Sequence, residues 1–151
     1  MSKLNVAVYG LLAAVLTLVG CTKSEAAPLD IGLSYVDNEV IDKQGAKLSV
    51  GSEYKNIKYG ATALASDKRL ENYGVYLGVP IRIQGTQLTV TPTITTDYYD
   101  DAEEFVGGVG MNVAYQINKS LFLEAQGTTN RSFDSSSYTG EVYSVGLVKR
   151  F

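Results

Sequence analysis

Ser132, Ser135, Ser136 and Ser137 crowd one polar stretch and are the obvious candidate nucleophiles. A serine hydroxyl attacks only when a neighbouring base takes its proton, and this chain contains no histidine. Hydrolases and acyltransferases that depend on an imidazole are thereby excluded. Two carboxylates can share acid and base roles without histidine; Glu124 and Asp97 are the pair to consider, but nearby lysines and arginines neutralise them. No catalytic residue is assigned, and an enzyme is not expected. Zinc and iron sites need histidines or clustered thiolates, and Cys21 is the only cysteine. Asp97, Asp100, Asp101, Glu103 and Glu104 offer the oxygen ligands calcium prefers. Their spacing matches no EF-hand loop, so they read as a solvated acidic loop. No metal and no cofactor are expected. With 13 basic and 16 acidic residues and a net charge of -3, nucleic acid is not an expected partner.

The elements that would position these side chains follow a period of two. No stretch after residue 27 sustains a helical period, whereas apolar and polar residues alternate in eight segments, the signature of strands. These are 29–36, 46–54, 57–65, 73–83, 88–98, 108–116, 121–129 and 142–151, and most have the nine to eleven residues that a tilted membrane strand requires. The connections alternate as well. Lys55-Asn56, Gln84-Gly85-Thr86 and Asn118-Lys119 are tight turns, and between them lie longer links at 37–45, 66–72, 99–107 and 130–141. Pro80 and Pro92 fall inside the fourth and fifth segments, where each removes a ladder hydrogen bond, so a bulge or bend is expected in that hairpin.

One face of these segments is apolar and edged with aromatics. Tyr35, Tyr73, Tyr98 and Tyr143 form one ring; Tyr54, Tyr59, Tyr115 and Phe151 form the other. An apolar cylinder girdled at both rims fits a lipid bilayer, because a phenol ring is apolar with one wet end. The opposite face carries Asp30, Lys47, Glu53, Lys58, Arg82, Asp97, Glu124 and Arg150, four acids and four bases. Eight strands enclose an interior that side chains fill, where charges must pair; the equal count predicts a self-neutralising lumen. Lys149 falls on the apolar face near a rim, where its stem can snorkel. On the longer links, Tyr99, Phe105, Phe133 and Tyr138 are candidate contacts for an unknown extracellular ligand. Lys68 and Arg69 either pair with lipopolysaccharide phosphates or stay solvated.

Residues 1–26 read as an export signal, with Lys3 before an apolar core from Leu4 to Gly20. Leu18-Val19-Gly20-Cys21 has the form of a lipobox that would lipidate Cys21; Ser24-Glu25-Ala26 has the form of an ordinary cleavage site before Ala27. Residues 27–151 then make one domain.

The final segment, Tyr143-Ser144-Val145-Gly146-Leu147-Val148-Lys149-Arg150-Phe151, resembles the C-terminal insertion signal of Gram-negative outer-membrane proteins, which ends on an aromatic residue with a glycine five positions earlier, here Gly146. Lys149 departs from the aromatic or aliphatic residue usual there. The domain as a whole resembles the small OmpA/OmpX-type barrels. That resemblance implies an all-β, eight-stranded, antiparallel, up-and-down transmembrane barrel. It also implies partners in outer-membrane lipid, lipopolysaccharide and the barrel-assembly machinery, with both termini in the periplasm. Fold analogy assigns no single role. Surface interaction (adhesion or receptor work) or an envelope-structural role through the loops is the leading expectation. A narrow channel is one alternative; a lipid-anchored, lipocalin-like barrel holding a hydrophobic ligand inside is another.

Overall fold

Alternating side chains commit each segment to a pleated strand with one greasy and one polar face, and a sheet with such faces is stable when it closes on itself. The computed structural model describes residues 27–67, 69–134 and 138–151. The expected export signal and the expected lipobox at Cys21, together with Lys68 and Ser135 to Ser137, lie outside the described residues. Eight antiparallel staves are present: β1 (Leu29–Asn38), β2 (Lys43–Tyr54), β3 (Ile57–Ser66), β4 in two pieces (Arg69–Gly78 and Ile81–Arg82), β5 (Leu88–Tyr99), β6 (Glu104–Gln116), β7 (Leu121–Ser132) and β8 (Thr139–Arg150). Each pairs with its sequence neighbour, and β1 pairs with β8, which closes the barrel. Leu29 and Phe151 exchange backbone hydrogen bonds at that seam, so the two ends of the domain meet at one rim. Partners followed across the strands from Asn38 run through Val142, Thr128, Gly110, Thr93, Gly78, Lys58 and Glu53 and return to β1 beside Pro28. That offset of about ten residues tilts the staves strongly, the geometry of small closed barrels.

The strands reach further at the loop end than alternation indicates. Links expected to span 37–45, 66–72, 99–107 and 130–141 shrink because β1, β2, β4, β6, β7 and β8 each add residues there. Backbone pairing continues above the apolar band, while the outward side chains turn polar (Asp37, Arg131, Glu141) and the apolar alternation that marks a strand disappears. At the opposite rim, Lys55 and Asn56 both take positive φ, 47° and 64°, the tight turn that suits a twisted hairpin. Asn118 Oδ1 accepts from the backbone of Ser120 and Leu121 at 2.9 and 3.0 Å, an Asx-type turn.

The prolines do distort their hairpin, and they do so at one place. Pro80 splits β4, and Pro92 lies across from Val79, whose N–H donates to the Pro92 carbonyl at 3.2 Å. The bond that Pro92 cannot return is lost where β4 is already interrupted, so the two irregularities share one gap. The true bulge lies elsewhere, at Leu64/Ala65 against β4. There Leu64 pairs with Asn72 and Ala65 with Leu70, leaving Glu71 as the extra residue. The bulge turns Glu71 inward beside Asn72, and both are buried.

Inside, Tyr76 crosses the lumen. Its hydroxyl rests against Gly51 and Gly60, where a Cβ would collide with the ring end and with strand backbone. Gly60→Ala should therefore destabilise the barrel by about 1–3 kcal/mol in urea titrations of the lipid-reconstituted protein. Combined with Tyr76→Ala the loss should be smaller than the sum of the single losses, because the two residues share one contact.

Candidate functional site: the lumen and its mouths

The inward face is built in tiers. At the turn end, Arg150 forks onto Asp30, with Nε to Oδ1 at 2.8 Å and Nη2 to Oδ2 at 2.9 Å. This bidentate geometry is the strongest form of ion pair. Asp30 is 4% exposed, so its charge is dependent on that fork. Arg150 also approaches Glu53 Oε2 at 3.6 Å, and its guanidinium lies 5.1 Å from the Phe122 ring. Glu53 Oε1 takes a second arginine, Arg82 Nη2, at 2.9 Å, and Arg82 opens to solvent at the mouth.

One tier deeper, Lys58 Nζ lies 2.7 Å from Glu124 Oε1, and Asn112 Nδ2 donates to the other Glu124 oxygen at 3.1 Å. Above them Lys47 Nζ donates to Gln126 Oε1 at 3.1 Å and Ser144 Oγ at 3.0 Å. Asp97 shares this tier but makes no ion pair with any described residue. Of the eight charges assigned to the lumen by alternation, six are in direct ionic contact, while Lys47 and Asp97 are not.

Among the described residues, two cavities lie in the interior. One of about 170 Å³ opens among Arg82, Glu53, Asp30 and Arg150 at the turn end. The other, about 70 Å³, lies between Lys47, Asp97, Thr93, Thr95 and Asn112. Among the described residues, Lys58 and Glu124 alone line both, so this ion pair is part of the partition between them. Thr93 Oγ1, Thr95 Oγ1 and Asn112 Oδ1 are buried without a protein partner and line the upper cavity. A polar void of this size holds several waters, each needing two to four such groups.

The loop-end mouth is covered. Val40, Tyr99 and Val106 form an apolar cluster, with Ile41, Ala102, Tyr138 and Val142 against it. Asn38, fully buried, donates to the Tyr99 hydroxyl at 3.0 Å and accepts from Val40 N–H at 3.0 Å. An ionic strap lies alongside: Lys43 Nζ meets Glu71 Oε1 at 2.9 Å and Asp101 Oδ2 at 3.9 Å, and Arg69 pairs with Asp101. The Lys43–Glu71 pair is not evident from alternation, since the bulge shifts Glu71 out of phase. An acid in a presumed loop two residues before the periodic run, with a lysine opposite, is the only sequence signal that could have indicated it.

Two of the four proposed loop contacts, Tyr99 and Tyr138, need correction, and a third, Phe105, stands on a strand. Tyr99 is 2% exposed because its odd position in β5 points inward, where Asn38 holds it. Tyr138 packs on the apolar cover. Phe105 belongs to β6 rather than a loop, and its ring packs edge-on against Tyr98 at 5.1 Å. Phe105 and Phe133 are both exposed, at 52% and 68%. The acidic stretch also disperses: Asp97 points into the lumen, Asp101 joins the strap, and Glu104 Oε2 accepts from Ser132 Oγ at 2.6 Å. Among the described residues, no three acids come together as a metal site.

On the outside, Leu33, Val75, Val109 and Val145 are exposed, flanked by Tyr35, Tyr73 and Tyr143 towards the loops and Tyr54, Tyr115 and Phe151 towards the turns. Tyr73 and Tyr98 rings pack at 5.6 Å, joining neighbouring staves along the upper ring. Lys55 and Lys149 each lie 5.3 Å from a lower-ring aromatic, Tyr54 and Phe151. Among the described residues the apolar set faces out and the charged set faces in, the reverse of what a lipocalin-type ligand requires.

No family model matches the chain, and no curated protein sequence does. Solved structures do. A de novo designed transmembrane β-barrel superposes with TM-score 0.63 at 12% identity, covering 85% of this chain and 98% of the design. A major outer membrane protein from Thermus thermophilus gives 0.58 at 13%, covering 84% and 100%. The outer membrane protein Ail of Yersinia pestis, solved in a phospholipid bilayer nanodisc, gives 0.56 at 12%, covering 83% and 100%. The chain has the fold of the small transmembrane outer-membrane barrels; at these identities the likeness concerns fold alone.

Truncating one member of the partition should cost about 3–5 kcal/mol, since the other charge is left buried and unpaired. Lys58→Ala and Glu124→Ala should each lower the urea midpoint in lipid vesicles, and the double variant should recover much of the loss.

Proposed function

We propose that this protein sits in the outer membrane of a Gram-negative cell as a closed barrel. It presents its loops for surface interaction or envelope-structural work rather than for transport or catalysis. One observation carries the reading: the apolar face looks outward between two aromatic rings while the ionic face is turned in and paired. Such a surface is stable only against acyl chains. The turn rim, where both ends of the domain meet, is the periplasmic side in this reading. The C-terminal strand ending at Phe151 is the part the assembly machinery would engage. The residues at 1–26 fit an exported chain.

Two features support a closed lumen over a narrow channel. Lys58 and Glu124 pair between the two cavities, and the Val40–Tyr99–Val106 cluster packs at the loop end. The loop end is rich in acids, including Glu39, Asp42, Asp67, Glu103 and Asp134, so a protein partner there should be basic. Absence of histidine and the ionic neutralisation of Glu124 support a non-enzymatic role.

Purified protein in planar bilayers should give no discrete current steps, and cell fractionation should leave it in the outer membrane with a mobility shift on boiling. Reproducible openings of one size would replace the closed-lumen reading with a channel. Release into the aqueous fraction without detergent would remove the membrane assignment itself.

A further inference from the structure

On the bilayer-facing surface, where β5, β6 and β7 approach the upper aromatic ring, lies an open groove of about 830 Å³. Its size is within the range of ligand sites. The register explains its shape. Ile94, Val109 and Thr129 form one outward row, and Gly107 and Arg131 belong to the next row up. Gly107 contributes only backbone where the neighbouring staves carry side chains, so the sheet surface dips. The Phe133 ring leans over Gly107 from above, within 2.7 Å of where a Cβ would stand, and walls the dip on the loop side.

The groove is amphipathic along the barrel axis. Its lower end, at Ile94 and Val109, belongs to the apolar band; its upper end holds Arg131. Among the described residues, Arg131 is the only cation lining it, and Asp134 the only acid. Arg131 makes no ion pair with any described residue. A guanidinium at the lipid-facing rim calls for an anion with planar, two-point acceptors, which a phosphate provides. A soluble peptide approaching from the loops would not reach Ile94 and Val109, which face acyl chains.

We infer that this groove is a binding site for one phosphorylated glycolipid of the outer leaflet, with an acyl chain laid over Ile94, Gly107 and Val109 and a phosphate on Arg131. The inference rests on the membrane reading above. The test is native mass spectrometry of the detergent-purified full-length protein, titrated with lipid A (a bis-phosphorylated, multiply acylated diglucosamine) and with its dephosphorylated form. Wild type should retain one lipid A. Retention should weaken about tenfold with the dephosphorylated lipid and about tenfold in Arg131→Gln, as expected for loss of one charge-assisted bidentate contact. Gly107→Leu and Thr129→Trp, which fill the dip from its floor and side, should weaken both lipids alike. Both positions face outward and the exposed Phe133 ring can swing aside; a heat-dependent mobility shift verifies that each variant is folded.

Equal retention by wild type and all folded variants would overturn the site. So would indifference to the phosphates, or displacement of lipid by a second copy of the chain forming a dimer. A protein that fails to partition into membranes would instead overturn the reading on which the site rests.

Discussion

Every backbone N–H and C=O in hydrocarbon needs a partner within the protein, since no water is there to supply one. In this chain that requirement is met at the β1–β8 seam, where nine residue pairs from Asp30–Arg150 to Asn38–Val142 convert a sheet with two raw edges into a cylinder. The rest depends on that closure. It fixes the strand offset and hence the bore, which is narrow enough for Tyr76 to cross and brace against Gly51 and Gly60. It also explains why the two prolines are confined to one break in β4: a closed barrel tolerates a missing donor only where the ladder is already interrupted.

A narrow bore in turn dictates the electrostatics. Charged side chains deep inside it are withdrawn from bulk water, so each buried acid needs a base or a hydrogen-bond donor within reach. The tiers of Asp30, Arg150, Glu53 and Arg82, then Lys58 and Glu124, meet that need with opposite charges from different strands. Lys47 meets it with neutral oxygens. The polar interior thus acts as cross-bracing, and the Lys58–Glu124 pair is also part of the partition between the lower cavity and the upper one. An account in which charges merely line an open pore would not place Lys58 and Glu124 in contact there.

Much of this was legible because period two survives wherever one face meets lipid and the other a packed interior. All eight staves, both aromatic rings and the turns at Lys55-Asn56 and Asn118 are written in that pattern. The pattern failed at the loop end for a physical reason. Above the bilayer both faces of a strand are polar, so β7 continues through Asn130, Arg131 and Ser132 with no alternation to reveal it. Tyr99 was mistaken for a surface group for the same reason, and Glu71 was hidden by the bulge that re-aims it. Which acid pairs with which base was never available from the sequence, because it depends on strand offset around the whole cylinder. The groove beside Phe133 was equally invisible, since it arises from a glycine whose neighbours are distant in sequence.

The central claim is the direction in which the two faces point, and spin labels report it directly. Single cysteines placed in turn at Tyr143, Ser144, Val145, Leu147, Val148 and Lys149, in a chain with Cys21 replaced and the protein reconstituted in lipid vesicles, would each carry a nitroxide. Collision with oxygen, which partitions into acyl chains, should be high at Tyr143, Val145 and Leu147 and low at Ser144 and Val148. A flat profile, or one with the two sets exchanged, would contradict the account.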